Sequence, residues 1–156
     1  FKLHHIVHPH HAFYWRGHVC LVMDLHTSSL KDHMYHFTDY ERHISAFRDI
    51  CWQLCVALAF LRQRGLIHAD IRPENILVSG VGSLSGQSRQ LFSSSCRWNV
   101  QLADLGNAFK VTDRELYFDD FDVQTLNYRS PEVLVGLPFD GQIDMWSLGC
   151  LLAEVC

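Results

Sequence analysis

The clearest pattern along the chain lies between residues 40 and 64, where Ile44, Phe47, Cys51, Leu54, Leu58 and Leu61 recur at three- and four-residue steps. That spacing places them on one stripe of an amphipathic helix. Arg42, Arg48, Asp49, Gln53 and Arg62 fall off the stripe, and Gly65 follows where helices commonly end in left-handed backbone. Upstream, residues 13–15 and 19–25 read as two short strands around a turn at Arg16-Gly17. Residues 28–36 read as a short helix opened by Ser28 or Ser29, either of which can cap it. Downstream, the short apolar runs Leu66-Ile67 and Ile76-Leu77-Val78 flank a polar loop. Residues 79–97 are rich in Ser and Gly, the composition of a flexible surface insert. Trp98 to Ala103 returns to strand character, and residues 110–130 are polar, acidic and irregular. Residues 141–156 are apolar nearly all round, as in a helix enclosed by a larger body. Asp144 lies within that helix, and a buried carboxylate requires a hydrogen-bonding partner from elsewhere.

Composition narrows the class without deciding it. The 156 residues are 48% hydrophobic and 19% charged, an ordinary globular balance with enough apolar mass for a sizeable core. The net charge of −4 argues against general binding to nucleic acid or membranes. No apolar run approaches the roughly 18 residues of a membrane span, and Phe1 does not open a signal peptide. The six cysteines, at 20, 51, 55, 96, 150 and 156, form no Cys-x-x-Cys pair. They read as reduced, mostly buried thiols of an intracellular protein, with Cys51 and Cys55 sharing a helix face. The crowded His4, His5, His8, His10 and His11 invite a zinc reading, but no helix or strand puts several on one side. Surface and packing roles account for them better. There is no internal repeat. The chain begins in mid-pattern and stops inside its apolar helix, so it is expected to be a piece of a larger domain.

Three motifs change the picture. Phosphoryl transfer needs metal ions to neutralise phosphates, a positive charge near the transferred group, and a carboxylate to orient the attacking hydroxyl. His68-Ala69-Asp70-Ile71-Arg72-Pro73-Glu74-Asn75 fits the kinase pattern H-R-D-L-x-x-x-N. Asp104-Leu105-Gly106 fits D-F-G, and Ser130-Pro131-Glu132 fits A-P-E. Alone, each is a common turn or helix start. Together their order, spacing and local structure agree, and Asp144-Met145-Trp146-Ser147-Leu148-Gly149 resembles the buried helix that follows them in kinases. The chain therefore resembles a eukaryotic protein kinase over essentially its whole length. The implied fold is α+β and protein-kinase-like, but partial. Residues 1–25 would supply small-lobe strands and the hinge, and residues 26–156 the mainly helical first half of the large lobe.

The resemblance implies roles residue by residue. Asp70 would be the catalytic carboxylate facing the substrate hydroxyl. Asn75 and Asp104 would hold magnesium through hard oxygen ligands. Arg72 sits where the family usually has a lysine contacting the transferred phosphate. Thr125, six residues before Pro131, would bond the catalytic Asp and that cation. Met23 would be the gatekeeper behind the adenine, with the backbone of Asp24 and His26 bonding it. Asp144 would accept backbone hydrogen bonds from the catalytic loop, and His68 would be structural rather than a base. The implied cofactors are ATP and Mg2+, and the implied partner is a protein substrate, with no direct nucleic-acid or membrane role. The implied location is intracellular, in nucleus, cytoplasm or both.

Tyr128 to Leu134 resembles the group of cyclin-dependent, MAP, dual-specificity tyrosine-regulated, homeodomain-interacting and SR-protein kinases (CMGC-like). In that group Arg129 often accompanies a preference for proline after the acceptor. The departures are informative. Ala69 replaces the arginine that commonly binds a phosphorylated activation-loop residue, so that switch is not expected here. Asp122, near Asp119 and Asp120, falls where tyrosine-regulated relatives place their activating tyrosine, and a fixed carboxylate there could remove the need for phosphorylation. No Gly-rich loop, strand lysine or pairing Glu occurs in these residues, so the piece alone is not expected to turn over. The leading reading is an ATP-dependent serine/threonine kinase. The alternative is a pseudokinase, a kinase-shaped binding or scaffold module, and a zinc-binding module is a distant third.

Overall fold

Helix α1 (Tyr40–Gln63) organises the structure, a computed structural model that describes residues 4–36, 40–79, 98–118 and 122–155. The expected Ser/Gly-rich insert, beyond Ser79, lies outside the described residues, as do Asp119 and Asp120. Helix α1 ends as its sequence predicts. The Gly65 N–H donates to the Arg62 carbonyl at 3.0 Å, and Gly65 adopts φ +66°. The buried face differs from the expected stripe. Ala46, Ile50, Leu54, Ala57 and Leu61 are buried, whereas Ile44 is 43% exposed. Each fully buried leucine or isoleucine on this face is worth roughly 1.5–3 kcal/mol relative to exposure.

Gln53, expected off the stripe, is buried because its amide caps a strand edge. Its Nε2 donates to the Trp98 carbonyl at 2.8 Å, and its Oε1 accepts from the Val100 N–H at 2.9 Å. Ile44–Gln63 is long and apolar enough to cross a membrane by length and composition, which a count of uninterrupted apolar residues misses. Here its inner face instead packs against protein.

Among the described residues the strands form three small sheets. Strands β1 (Pro9–Trp15) and β2 (His18–Met23) make an antiparallel hairpin. They turn at Arg16 and Gly17, which have φ +48° and +83°. The hairpin starts earlier and ends sooner than the sequence pattern suggested, because Pro9 and His11 find ladder partners in Met23 and Val22. Strand β3 (Ser28–Ser29) pairs with β5 (Ile76–Ser79), which pairs in turn with β6 (Asn99–Leu102). The helix expected over 28–36 is thus a two-residue strand followed by a 3-10 helix over Leu30–His36. Ser29 still marks its start, with its N–H and hydroxyl both donating to Asp32 Oδ2, at 2.7 and 2.9 Å. Strand β4 (Leu66–Ile67) pairs with β7 (Phe109–Lys110).

Two apolar clusters result among the described residues. The larger joins α1, β5, β6 and α3 (Gln142–Val155). The smaller joins Ile67, Ala69, Phe109, Val123, Val133, Phe139 and Ile143. Among them run the 3-10 segments Pro73–Asn75, Leu105–Asn107, Val111–Tyr117 and Leu126–Tyr128 and the short helix α2 (Pro131–Leu134). The site lies where the connections after β4, after β6 and before α2 come together.

Candidate active site

The segment after β4 is held from behind by α3. Asp144, only 4% exposed, accepts the His68 N–H at 2.8 Å on one oxygen and the Ala69 N–H at 2.9 Å on the other. This is the partner its position in an apolar helix demanded. Burial pushes its carboxyl up, while the two N–H donors oppose that shift. Ala69 is buried with φ +63°, a left-handed conformation that costs a non-glycine residue of order 1–3 kcal/mol and that Asp144 holds in place.

His68 is fully buried and bonded at both ring nitrogens. Nε2 lies 3.0 Å from the Ala103 carbonyl, and Nδ1 lies 3.2 Å from the Asp70 N–H. A carbonyl only accepts and an amide only donates, so His68 is the neutral Nε2–H tautomer. Burial pulls its pKa down, against the attraction of Asp144 and the Ala103 bond. A lowered folded pKa means its contribution to stability is full above the ordinary value of 6.5 and is lost as pH falls through the folded value. Ring-nitrogen NMR of the full-length protein should therefore show His68 titrating below the ordinary histidine value, with the proton of its neutral form on Nε2. A midpoint at or above the ordinary value would refute the direction of the shift, and a neutral form protonated on Nδ1 would refute the tautomer assignment.

Asp70 is the convergence point. Thr125 Oγ1 donates to its Oδ1 at 2.7 Å. Asn75 Nδ2 donates to its Oδ2 at 3.0 Å and to its carbonyl at 2.9 Å. Asn107 Nδ2 approaches Oδ2 at 3.5 Å. Arg72 Nη1 donates to Thr125 Oγ1 at 3.2 Å, so a cation, a hydroxyl and a carboxylate form one chain. Arg72 Nε donates to Glu74 Oε2 at 3.0 Å, a bond that raises the guanidinium's pKa and keeps it charged. Partial burial pushes Glu74 up, but backbone and Arg72 hydrogen bonds bring it below the usual carboxylate value.

The local sequence explains the geometry. Pro73 begins the 3-10 turn, and Arg72 before it is extended, with φ −158° and ψ 157°, as pre-proline residues prefer. The turn carries Asn75 to the end of β6, where its carbonyl accepts the Ala103 N–H at 2.8 Å. Asp104 follows, exposed, with φ +63° and Oδ1 accepting the Gly106 N–H at 3.2 Å. A Cβ on Gly106 would sit 3.0 Å from that oxygen, so a side chain there would make the Asp104 carboxylate give way by a few tenths of an ångström. The Asp104 carboxylate keeps lone pairs free, and the Asn75 amide, its nitrogen committed to Asp70, keeps its oxygen. Two hard oxygen donors of this kind fit magnesium, which takes few protein ligands alongside phosphate oxygens. Among the described residues there is no cluster of three or more His, Cys, Asp or Glu fit for a metal, which leaves the zinc reading without support.

The segment before α2 is anchored to α3 by Gln124, which the sequence pattern did not single out. It is buried with φ +64°. Its Nε2 donates to the Ile143 carbonyl at 2.8 Å and to Ser147 Oγ at 2.6 Å, while its Oε1 accepts the Ser130 N–H at 3.0 Å. Its carbonyl is taken by Arg129, from Nε at 3.1 Å and Nη2 at 2.7 Å. The Tyr128 hydroxyl donates to Glu154 near the end of α3. Gln124 thus sets the position of Thr125 beside it. Glu74 and Asn107 were also missed, and the signal was a carboxylate inside the first motif and an amide directly after the second.

The hinge candidates lie apart from this loop. Met23 closes β2 opposite Pro9 and is 43% exposed. The Asp24 carboxylate bonds His10 Nε2 at 2.9 Å, and the ring nitrogens of His26 are buried without a hydrogen-bond partner. Asp122 lines a small cavity of about 220 Å³ with Ala69, Tyr117 and Gln124.

The model of the protein kinase domain matches residues 1–156. A probable serine/threonine-protein kinase dyrk2 of Dictyostelium discoideum is 36% identical over 152 residues, 96% of this chain and 14% of its own length. Homeodomain-interacting protein kinase 1 of Caenorhabditis elegans is 34% identical over 144 residues, 92% of this chain and 15% of its own length. Dual specificity tyrosine-phosphorylation-regulated kinase 2 of Drosophila melanogaster is 33% identical over 152 residues, 97% and 19% respectively. The chain thus spans less than a fifth of the length of these relatives.

Proposed function

This chain belongs to the protein kinase family and carries part of its α+β fold, and from that premise we propose that the protein transfers a phosphoryl group from Mg-ATP to serine or threonine hydroxyls of protein substrates. The observation that carries the reading is the convergence of Thr125 and Asn75 on the two oxygens of Asp70, with Arg72 bonded to Thr125. Asp70 orients the acceptor hydroxyl and takes its proton as the oxygen attacks. Thr125 and Asn75 fix the carboxylate, which spends no reorganisation at the moment of reaction. Arg72 supplies positive charge beside the transferred group. Asn75 and Asp104 are the residues that would hold magnesium, which when bound neutralises phosphate charge. Met23 backs the adenine, and the backbone of Asp24 and His26 bonds it. In this reading residues 1–25 are small-lobe strands and hinge, and residues 26–156 are large lobe.

The Gln124 carbonyl, occupied by Arg129, cannot accept the N–H of a peptide residue passing it. That favours acceptors followed by proline, which has no N–H. Partners are then ATP and protein substrates rather than nucleic acid or a membrane, and the location is intracellular, in nucleus, cytoplasm or both.

The test measures phosphate transfer by the full-length protein and its Asp104→Asn variant across a magnesium titration. The neutral amide keeps an oxygen but loses the charge, so the variant should need several-fold more magnesium for the same rate. Identical magnesium curves would refute the role of Asp104. No transfer by the unaltered protein at any magnesium level would favour the second reading, a kinase-shaped binding module, which the exposed Leu105 and the substituted Arg72 invite.

A further inference from the structure

We propose that Glu74 is a positioning residue for phosphoryl transfer: it holds the Arg72 guanidinium in the orientation that lets it reach Thr125 and, through Thr125, Asp70. The inference rests on the reading of Asp70 as the carboxylate of that reaction. An arginine at this place has a difficulty that a lysine does not. An ammonium is a compact charge with three donors that rotate freely, whereas a guanidinium is a plane that acts only along its own N–H directions. Rotation of that plane must be stopped for it to serve one acceptor.

Glu74 stops it at the one informative atom. Its Oε2 accepts from Arg72 Nε, the nitrogen that joins the plane to the side-chain stem, at 3.0 Å. With Nε–H fixed there, Nη1 meets Thr125 Oγ1 at 3.2 Å. Thr125 Oγ1 can then use its own proton only as a donor, which goes to Asp70 Oδ1 at 2.7 Å. Every donor in the line points toward Asp70, so the bonds polarise one another in the same sense. Two of the five guanidinium N–H groups are committed, leaving three for oxygens of the transferred group. The local backbone brings the pair together. Extended Arg72 leads into the Pro73–Asn75 turn, which returns the Glu74 side chain to its neighbour two residues back.

The pair has little to contribute to stability, and this separates the two possible roles. Its side chains are 33% and 38% exposed, and ion pairs of that exposure add little to folding. A structural role would leave kcat alone, whereas a positioning role appears in kcat with the fold unchanged.

The experiment is a double-mutant cycle in the full-length protein with Glu74→Ala, which leaves no acceptor for Arg72 Nε–H, and Arg72→Lys. Glu74→Ala is expected to lower kcat about tenfold with KM for ATP nearly unchanged, and to shift Tm by no more than about 1 °C. In the Arg72→Lys background the same change should have no further effect, since lysine has no Nε–H to hold. A second readout is independent of turnover. The Arg72 Nε–H NMR cross-peak, identified by its loss in Arg72→Lys, should exchange slowly with water in the unaltered protein and fast in Glu74→Ala. Unaltered kcat in Glu74→Ala overturns the proposal, as does an equal loss in both backgrounds. If Arg72→Lys has no measurable turnover, an unchanged Arg72 cross-peak in Glu74→Ala overturns it. An Asp70→Asn variant as active as the unaltered protein overturns the reading beneath it, whereas a normal Asp70 effect without a Glu74 effect overturns this proposal alone.

Discussion

Asp70→Asn should lower kcat by about 10²–10⁴-fold, the usual contribution of a positioned proton acceptor, while leaving the fold and KM for ATP nearly unchanged. The substitution preserves shape, so the prediction isolates charge and basicity. Both oxygens of Asp70 accept hydrogen bonds, from Thr125 on one and Asn75 on the other. An amide offers only one oxygen. Asn75 Nδ2 can only donate, so the oxygen must stay on its side. The amide nitrogen then faces Thr125, whose hydroxyl can turn to accept. The hydrogen bonds are re-paired, which is why the fold should survive. The acceptor hydroxyl nevertheless loses the group that takes its proton. Steady-state kinetics with saturating Mg-ATP and a protein substrate measure this, with thermal melting as the control. A fall of less than tenfold in kcat would remove Asp70 from the role assigned to it.

Much of this is legible in the sequence, and the exceptions share a cause. The periodicity of α1, its termination at Gly65 and the apolar helix over 142–155 follow from rules that act within a few residues. The need of Asp144 for a partner was legible from burial alone, and the catalytic-loop resemblance pointed to where it lay. What could not be read were contacts formed across the chain by residues of unremarkable type. Gln53 counts as polar in any periodic reading, yet it is buried because Trp98 and Val100, 45 and 47 residues further on, present unpaired backbone groups to it. Gln124 reads as a loop residue, yet it ties Ser130, Ile143 and Ser147 together. Ser28 and Ser29 carry no strand signal, and only pairing with Val78 and Leu77 makes them one. In each case a backbone group elsewhere had to be satisfied, and tertiary structure overrode local propensity.

Asp144→Asn should be the most damaging single substitution for stability, costing at least about 2 kcal/mol and disabling catalysis with it. The carboxylate receives a separate N–H on each oxygen, from His68 and Ala69, in a site shielded from water. Neither donor can turn, because both belong to the backbone. An asparagine must set its NH2 against one of them, so one bond is lost and two donors face each other in a buried site. Asp70→Asn escapes this penalty because the Thr125 hydroxyl can rotate; the contrast between the two variants follows from that one difference in donor chemistry. The damage should spread to the site. Ala69 holds its left-handed φ of +63° against an intrinsic cost, and its N–H is one of the two bonds that keep it there. Released, the turn would relax toward ordinary backbone and carry Asp70 away from Thr125. Chemical denaturation of the full-length protein gives the stability, and phosphate transfer below the variant's own melting range gives the activity. A variant that melts with the unaltered protein and retains its kcat would show that the α3 clamp does not hold the catalytic loop.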